Sequence, residues 1–126
     1  MPRFCDSDAA GHINNTAVAE WLEVGRFDFY HNHVPDLTPL MLRRIEIDYL
    51  REMNYREEVT IRTGVDAVGE KTVTLRQEVW QGGTKRADCL AIDCYFDRDT
   101  RRSAPIPVAL RPVCDEFLFE PGRALS

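Results

Sequence analysis

The stretch Asp6-Ser7-Asp8-Ala9-Ala10-Gly11-His12-Ile13-Asn14-Asn15 holds the residues best placed to do chemistry. Hydrolysis of an electrophilic carbonyl needs a carboxylate that attacks it or deprotonates water. It also needs donors for the oxyanion that develops. The Asp pair offers the carboxylate. Asn14, Asn15 and Thr16 are helix N-cap candidates, because a short polar side chain accepts a bond from an orphan backbone N–H. A helix beginning there supplies the donors, since its first N–H groups are unpaired and its dipole favours negative charge. The plainer alternative is that an Asp ahead of a helix only caps it or forms its turn. His12 and Asn14 would then close the turn by side-chain bonds to the backbone.

The elements that must hold these groups are legible in the periodicity. Val18, Trp21, Leu22, Gly25 and Phe29 form one helical stripe that buries against something flat, with Gly25 permitting close approach. The helix should end between Tyr30 and Val34, before Pro35. From Leu40 the period changes to two, and four strands are predicted: Leu42 to Leu50, Glu58 to Val68, Thr72 to Gln81 and Arg86 to Asp97. Gly69-Glu70 and Gly82-Gly83 mark tight hairpins, so adjacent stretches pair antiparallel. In the last stretch Leu90, Ile92, Cys94 and Phe96 form one face and Asp88 and Asp93 belong to the other series, so that one face is core. Met1 to Asp8 reads as the tail of a further strand, and Val108 to Phe119 as a short terminal helix or irregular cover. The order predicts an α+β fold with one buried helix against an antiparallel sheet, in a single domain over residues 1–126.

The formal charge of −5 disfavours nucleic acid and anionic membrane surfaces as partners. Fourteen of the sixteen basic residues are Arg, which leaves room for a local patch that grips phosphate. Arg98, Arg101 and Arg102 are the candidates, against the plainer reading of a solvated turn. Cys5, Cys89, Cys94 and Cys114 show no metal-ligand spacing and read as free thiols. His31-Asn32-His33 lacks a third ligand and reads as solvated or capping, so no metal is expected. With no signal-peptide pattern and no apolar run of bilayer length, the expected address is the cytoplasm.

The segment Asp6 to Asn15, continued by Trp21-Leu22-Glu23 and Arg26, resembles the opening signature of 4-hydroxybenzoyl-CoA thioesterase-like hot-dog proteins, an Asp-x-Asp-x-x-Gly-His-x-Asn-Asn pattern leading into the central helix. Ile45 to Arg51 resembles the family's second strand and Gly69-Glu70-Lys71-Thr72 its next hairpin. Asp97-Arg98-Asp99-Thr100 with Pro105-Ile106-Pro107 resembles its final turn. Two departures stand out. The strand before the Asp pair is shorter than in relatives, and Glu52 to Glu57 replaces a proline and a Gly-Asp turn.

The resemblance implies a hot-dog fold, an antiparallel sheet wrapped around one long helix. It further implies a homodimer or homotetramer with sites between chains, and hydrolysis of an acyl-CoA to free acid and coenzyme A without a cofactor. It assigns Asp8 as nucleophile or general base and the N–H of Asn15 as an oxyanion donor, and it places Glu23, Lys71 and Thr72 near substrate. His12 either orients Asp8 or a water, or is the turn former described above. Glu23 and Arg26, three apart, are alternatively a plain ion pair. Two other functions compete: a non-catalytic acyl-CoA-binding module, and an acyl hydratase or dehydratase. The second is weaker because the Asp-x-Asn-Pro-x-x-His type of pattern is absent. Relatives on one fold differ in chemistry, so the site has to carry the decision.

Overall fold

The computed structural model describes residues 14–34, 40–54 and 56–119. Helix α1 spans Asn15–His33 and is followed by strands β1 (Leu40–Tyr49), β2 (Thr60–Val68), β3 (Thr72–Gln81) and β4 (Thr84–Tyr95), then by helix α2 (Leu110–Glu116). The expected strand tail over Met1 to Asp8 lies outside the described residues.

Helix α1 starts where the capping residues demand. Asn14 is extended, with ψ 155°, and its Oδ1 accepts the Ala17 N–H at 2.8 Å. At the other end the Val34 N–H reaches the Tyr30 carbonyl at 2.9 Å, just before Pro35. The buried face is Ala17, Val18, Leu22, Arg26 and Phe29. Trp21 is only half-buried and packs at the edge of this stripe, so the face is rotated slightly from the expected one. Gly25 does permit close approach, because a Cβ there would lie 3.0 Å from Gln77 Nε2 and 3.2 Å from Ile61 Cγ2.

The four strands form one antiparallel sheet in the order β1-β4-β3-β2. The two glycine hairpins join neighbours as expected. Gly82 (φ 59°) and Gly83 (φ 74°) take the left-handed conformation that a two-residue turn between twisted strands requires. Strand β1 pairs with β4 and not with β2, so the loop after β1 crosses to the far side of the sheet. The other border of β2 is covered by the chain end, with Val65 N–H to Phe117 O and Phe119 N–H to Val65 O both at 2.8 Å.

The face of β4 needs correction. Asp88 is in phase with Leu90, Ile92 and Cys94, and those residues are half-buried on the outer side. Ala87, Cys89, Ala91 and Asp93 are the buried set under the helix. The physical reason is size. A helix lying close on a sheet needs small residues beneath it, so the bulkier Leu90 and Ile92 face away.

Apolar packing falls into two clusters. One gathers Val18, Leu22, Val79 and Cys89 under the first half of α1. The other gathers Phe29, Val65, Val73 and Leu75 with Leu110 and Cys114 of α2 under the second half.

Candidate active site

The N-terminus of α1 is the end toward which the predicted chemistry points. The Asn14 side chain satisfies the Ala17 N–H and the Asn14 carbonyl receives the Val18 N–H at 3.4 Å. The N–H groups of Asn15 and Thr16 come before any possible intrahelical acceptor and have none among the described residues, the arrangement in which a helix start can face an anion. Asn15 is exposed, and its carbonyl accepts the Tyr49 hydroxyl at 3.2 Å, which ties the helix start to the end of β1. Asp8 and His12 lie outside the described residues.

Glu23 is two turns further along α1, exposed, and does not pair with Arg26. It stands at the mouth of a small cavity of about 130 Å³ whose inner wall is Arg26, Tyr30 and Asp93, with Leu40 and Leu42 of β1 opposite. Arg26 instead turns inward and donates from Nη1 to Gln77 Oε1 at 3.0 Å. Gln77, fully buried on β3, donates in turn to the Leu22 carbonyl at 2.9 Å and to Thr63 Oγ1 at 3.1 Å. Next to them the Tyr30 hydroxyl donates to Asp93 Oδ2. A polar layer thus separates the two apolar clusters, bonded as buried polar groups must be. Sequence reasoning missed this layer, although Arg26 stands four residues from Leu22 and eight from Val18, in phase with the buried stripe.

Burial raises the Asp93 carboxyl above the usual carboxylate range, against the opposing pull of the Tyr30 hydrogen bond and the Arg26 charge. It also raises the Tyr30 hydroxyl, with the Asp93 charge adding to the effect. The folded chain therefore holds the Asp93 proton at pH values where the unfolded chain has lost it. Stability is expected to fall as pH rises from about 4, the ordinary Asp value, to the raised folded value, and to stay level above it. Asp93→Asn should flatten that fall in urea unfolding series taken at successive pH values. An unchanged slope would assign the fall to other groups.

Lys71 and Thr72 are at the other end of the sheet from Asn15 in the same chain. The Lys71 carbonyl accepts the Tyr95 N–H at 2.8 Å and Thr72 lies opposite Cys94, whereas Tyr49 beside Asn15 lies opposite Ala87. The eight steps from Ala87 to Tyr95 span about 27 Å at roughly 3.4 Å each. One chain therefore does not bring Lys71 and Thr72 to its own helix N-terminus.

Cys89, Cys94 and Cys114 are free. Burial pushes the Cys89 thiol up to about 11, which leaves it unreactive at neutral pH. His33 packs its ring on Phe117, centroids 3.9 Å apart, and edge-on to Phe29. Among the described residues no group of three His, Cys, Asp or Glu side chains is placed to hold a metal ion. None of their helices is long and apolar enough to cross a membrane.

Residues 2–117 match the sequence model of the thioesterase-like superfamily. Among solved structures, a predicted thioesterase from Bacillus stearothermophilus is 35% identical over 97% of this chain and 95% of that one, with a TM-score of 0.88. A thioesterase from Thermus thermophilus, solved with coenzyme A and Zn, is 27% identical over 89% of this chain and 90% of that one, with a TM-score of 0.81. A thioesterase-superfamily protein from Jannaschia sp. CCS1 is 30% identical over 87% of this chain and 74% of that one, with a TM-score of 0.75. No curated protein matches significantly. With a sheet wrapped on one long helix and a family match over nearly its whole length, the chain belongs to the thioesterase-like superfamily of hot-dog thioester hydrolases.

Proposed function

We propose that the protein hydrolyses an acyl-CoA thioester to the free acid and coenzyme A. Asp8 acts as nucleophile or general base, the Asn15 N–H donates to the developing oxyanion, and His12 orients Asp8 or a water. The observation that carries this reading is the start of α1. Asn14 bonds the Ala17 N–H, and the Asn15 and Thr16 N–H groups have no acceptor among the described residues, with Asp8 seven residues upstream in sequence. Coenzyme A as the thiol carrier is supported by the Thermus relative solved with it. Glu23 and the Lys71-Thr72 turn contribute to substrate binding.

The working unit is a homo-oligomer in the cytoplasm. Strand β1 has β4 on one side and no strand on the other among the described residues. Along it and just beyond, Met41, Leu42, Ile45, Tyr49 and Leu50 are exposed. An open edge with that much apolar surface fits a second copy of the chain. Across such a pairing Lys71 and Thr72 of one chain can approach the helix N-terminus of the other.

The test is a thiol-release assay over short, long and aromatic acyl-CoA esters, with light scattering on the same preparation. Turnover of at least one ester by a dimer or larger assembly is expected. Saturable acyl-CoA binding with no turnover would make the protein a binding module instead.

A further inference from the structure

Arg26 is a buried charge without a paired counter-charge. Only 7% of it is exposed, and its hydrogen bond goes to a neutral acceptor, Gln77 Oε1, at 3.0 Å. No carboxylate lies within ion-pair distance of it among the described residues. Asp93 shares a cavity wall with it, but Asp93 Oδ2 accepts from the Tyr30 hydroxyl, and burial favours the neutral form of that carboxyl. Buried ions in folded proteins are paired, because a lone one is costly to take out of water.

The unused side of this guanidinium opens on empty space. Nη1 alone is bonded, and Asp88 Oδ1 is the one buried side-chain atom left without a partner among the described residues, so the other Arg26 nitrogens are not sealed in the core. They border the cavity of about 130 Å³ described above, whose remaining walls include the apolar Phe27, Leu40 and Leu42. A cavity of about 150 Å³ takes a molecule the size of benzene, so this one takes the end of a chain and not a long tail. Its sides suit methylene groups and its inner wall suits an anion.

We propose that the cavity receives the far end of an acyl group that terminates in a carboxylate, so that the substrate is the thioester of a dicarboxylic acid, an inference that rests on the acyl-CoA reading above. The carboxylate accepts from the open N–H groups of Arg26, a charge-assisted contact for which a planar guanidinium is suited, and the last methylenes lie on Phe27, Leu40 and Leu42. Glu23 at the mouth is exposed, so water screens its charge, and the guanidinium inside sets the sign that the cavity prefers. Arg26 stands eleven residues beyond Asn15, about 16.5 Å along the helix at roughly 1.5 Å per residue. The spacer between thioester and carboxylate therefore depends on which chain's helix start holds the thioester, and it is read by varying chain length.

The probes are glutaryl-, adipyl- and suberyl-CoA, each set against the plain ester of equal carbon number, valeryl-, hexanoyl- and octanoyl-CoA, with the protein-free rate subtracted. The parent should favour the dicarboxylic member of at least one pair by about tenfold or more in kcat/KM. Arg26→Gln removes the charge and should abolish that preference, whereas Arg26→Lys keeps the charge and should keep part of it. Each ratio is taken within one preparation, so a variant that folds poorly lowers both rates alike and leaves the ratio readable. 6-Aminohexanoyl-CoA reports the opposite sign: a preference for it over hexanoyl-CoA would hand the cavity to Asp93 and Glu23 and overturn the proposal. A parent that cleaves the plain ester at least as well at every length, or Arg26→Gln with the parent's ratio, overturns it too and leaves the hydrolase reading standing. A parent that cleaves no thioester removes the hydrolase reading, and calorimetry then decides. Tighter binding of the dicarboxylic member of a pair, lost in Arg26→Gln, would retain the cavity's assignment, and equal binding would overturn it.

Discussion

Gln77→Leu is expected to lower the free energy of unfolding by about 3 kcal/mol, although leucine is of similar size and more apolar. By burial alone the change should help, since Gln77 is wholly inside. The loss comes from what it leaves behind. Arg26 would keep a buried guanidinium with its Gln77 acceptor gone, and Thr63 and the Leu22 carbonyl would each lose a donor. A stranded buried polar group costs about 1 to 3 kcal/mol and a charged one more, which outweighs the gain in apolar contact. Gln77→Glu keeps an acceptor, adds a counter-charge for Arg26 and loses only the two donated bonds, so it should cost less than Gln77→Leu. Urea unfolding of the three proteins measures both differences. A Leu variant as stable as the parent would mean that water replaces Gln77 and that the polar layer does not hold α1 in place on the sheet.

That layer is also where the sequence was least readable. Helix α1 runs close to its expected limits because its signals are local: Asn14 caps it and Pro35 follows its end. The strands lie within about two residues of expectation and the glycine hairpins hold, since period-two patterning and positive φ are written in neighbouring residues. The pairing of β1 with β4 joins Leu40 to Tyr95, and no local pattern encodes a partner so distant. The inner face of β4 was hidden for another reason. Hydrophobicity favours Leu90 and Ile92 over Ala87, Cys89 and Ala91, whereas the helix overhead selects for small size. Arg26 reads as a surface partner of Glu23 until Gln77, 51 residues away, is known to lie beneath it.

The candidate site divides in a similar way. The Asn14 cap and the helix start are foreseeable, and the family is legible in the spacing from Asp6 to Arg26. Of the arginines in the last turn, Arg98 and Arg101 line a groove of about 1000 Å³ with Met41, Leu42 and Phe96, and Arg102 does not. Arg43 joins them through a bulge that sequence periodicity does not announce. Resemblance alone places Lys71 and Thr72 near substrate, and only a second chain can bring them to the helix N-terminus.

Catalysis as proposed depends most heavily on Asp8, and Asp8→Asn is its most direct measurement. The substitution keeps the size of the side chain and much of its hydrogen bonding but removes the negative charge, so the fold and the oligomer should survive. Chemistry should not, since loss of a general base costs on the order of 10² to 10⁴ in rate. Asp6→Asn, two residues away, should cost far less, because the resemblance gives Asp6 no direct part in the reaction. Acyl-CoA affinity of the Asp8→Asn protein, measured by calorimetry, should stay within a few fold of the parent's, as expected for a group that acts mainly in the transition state. The decisive number is kcat on the best thioester found in the panel. A fall of at least about a hundredfold with binding retained is the predicted result, and hydrolysis at the parent's rate would reduce Asp8 to a turn residue and contradict the account.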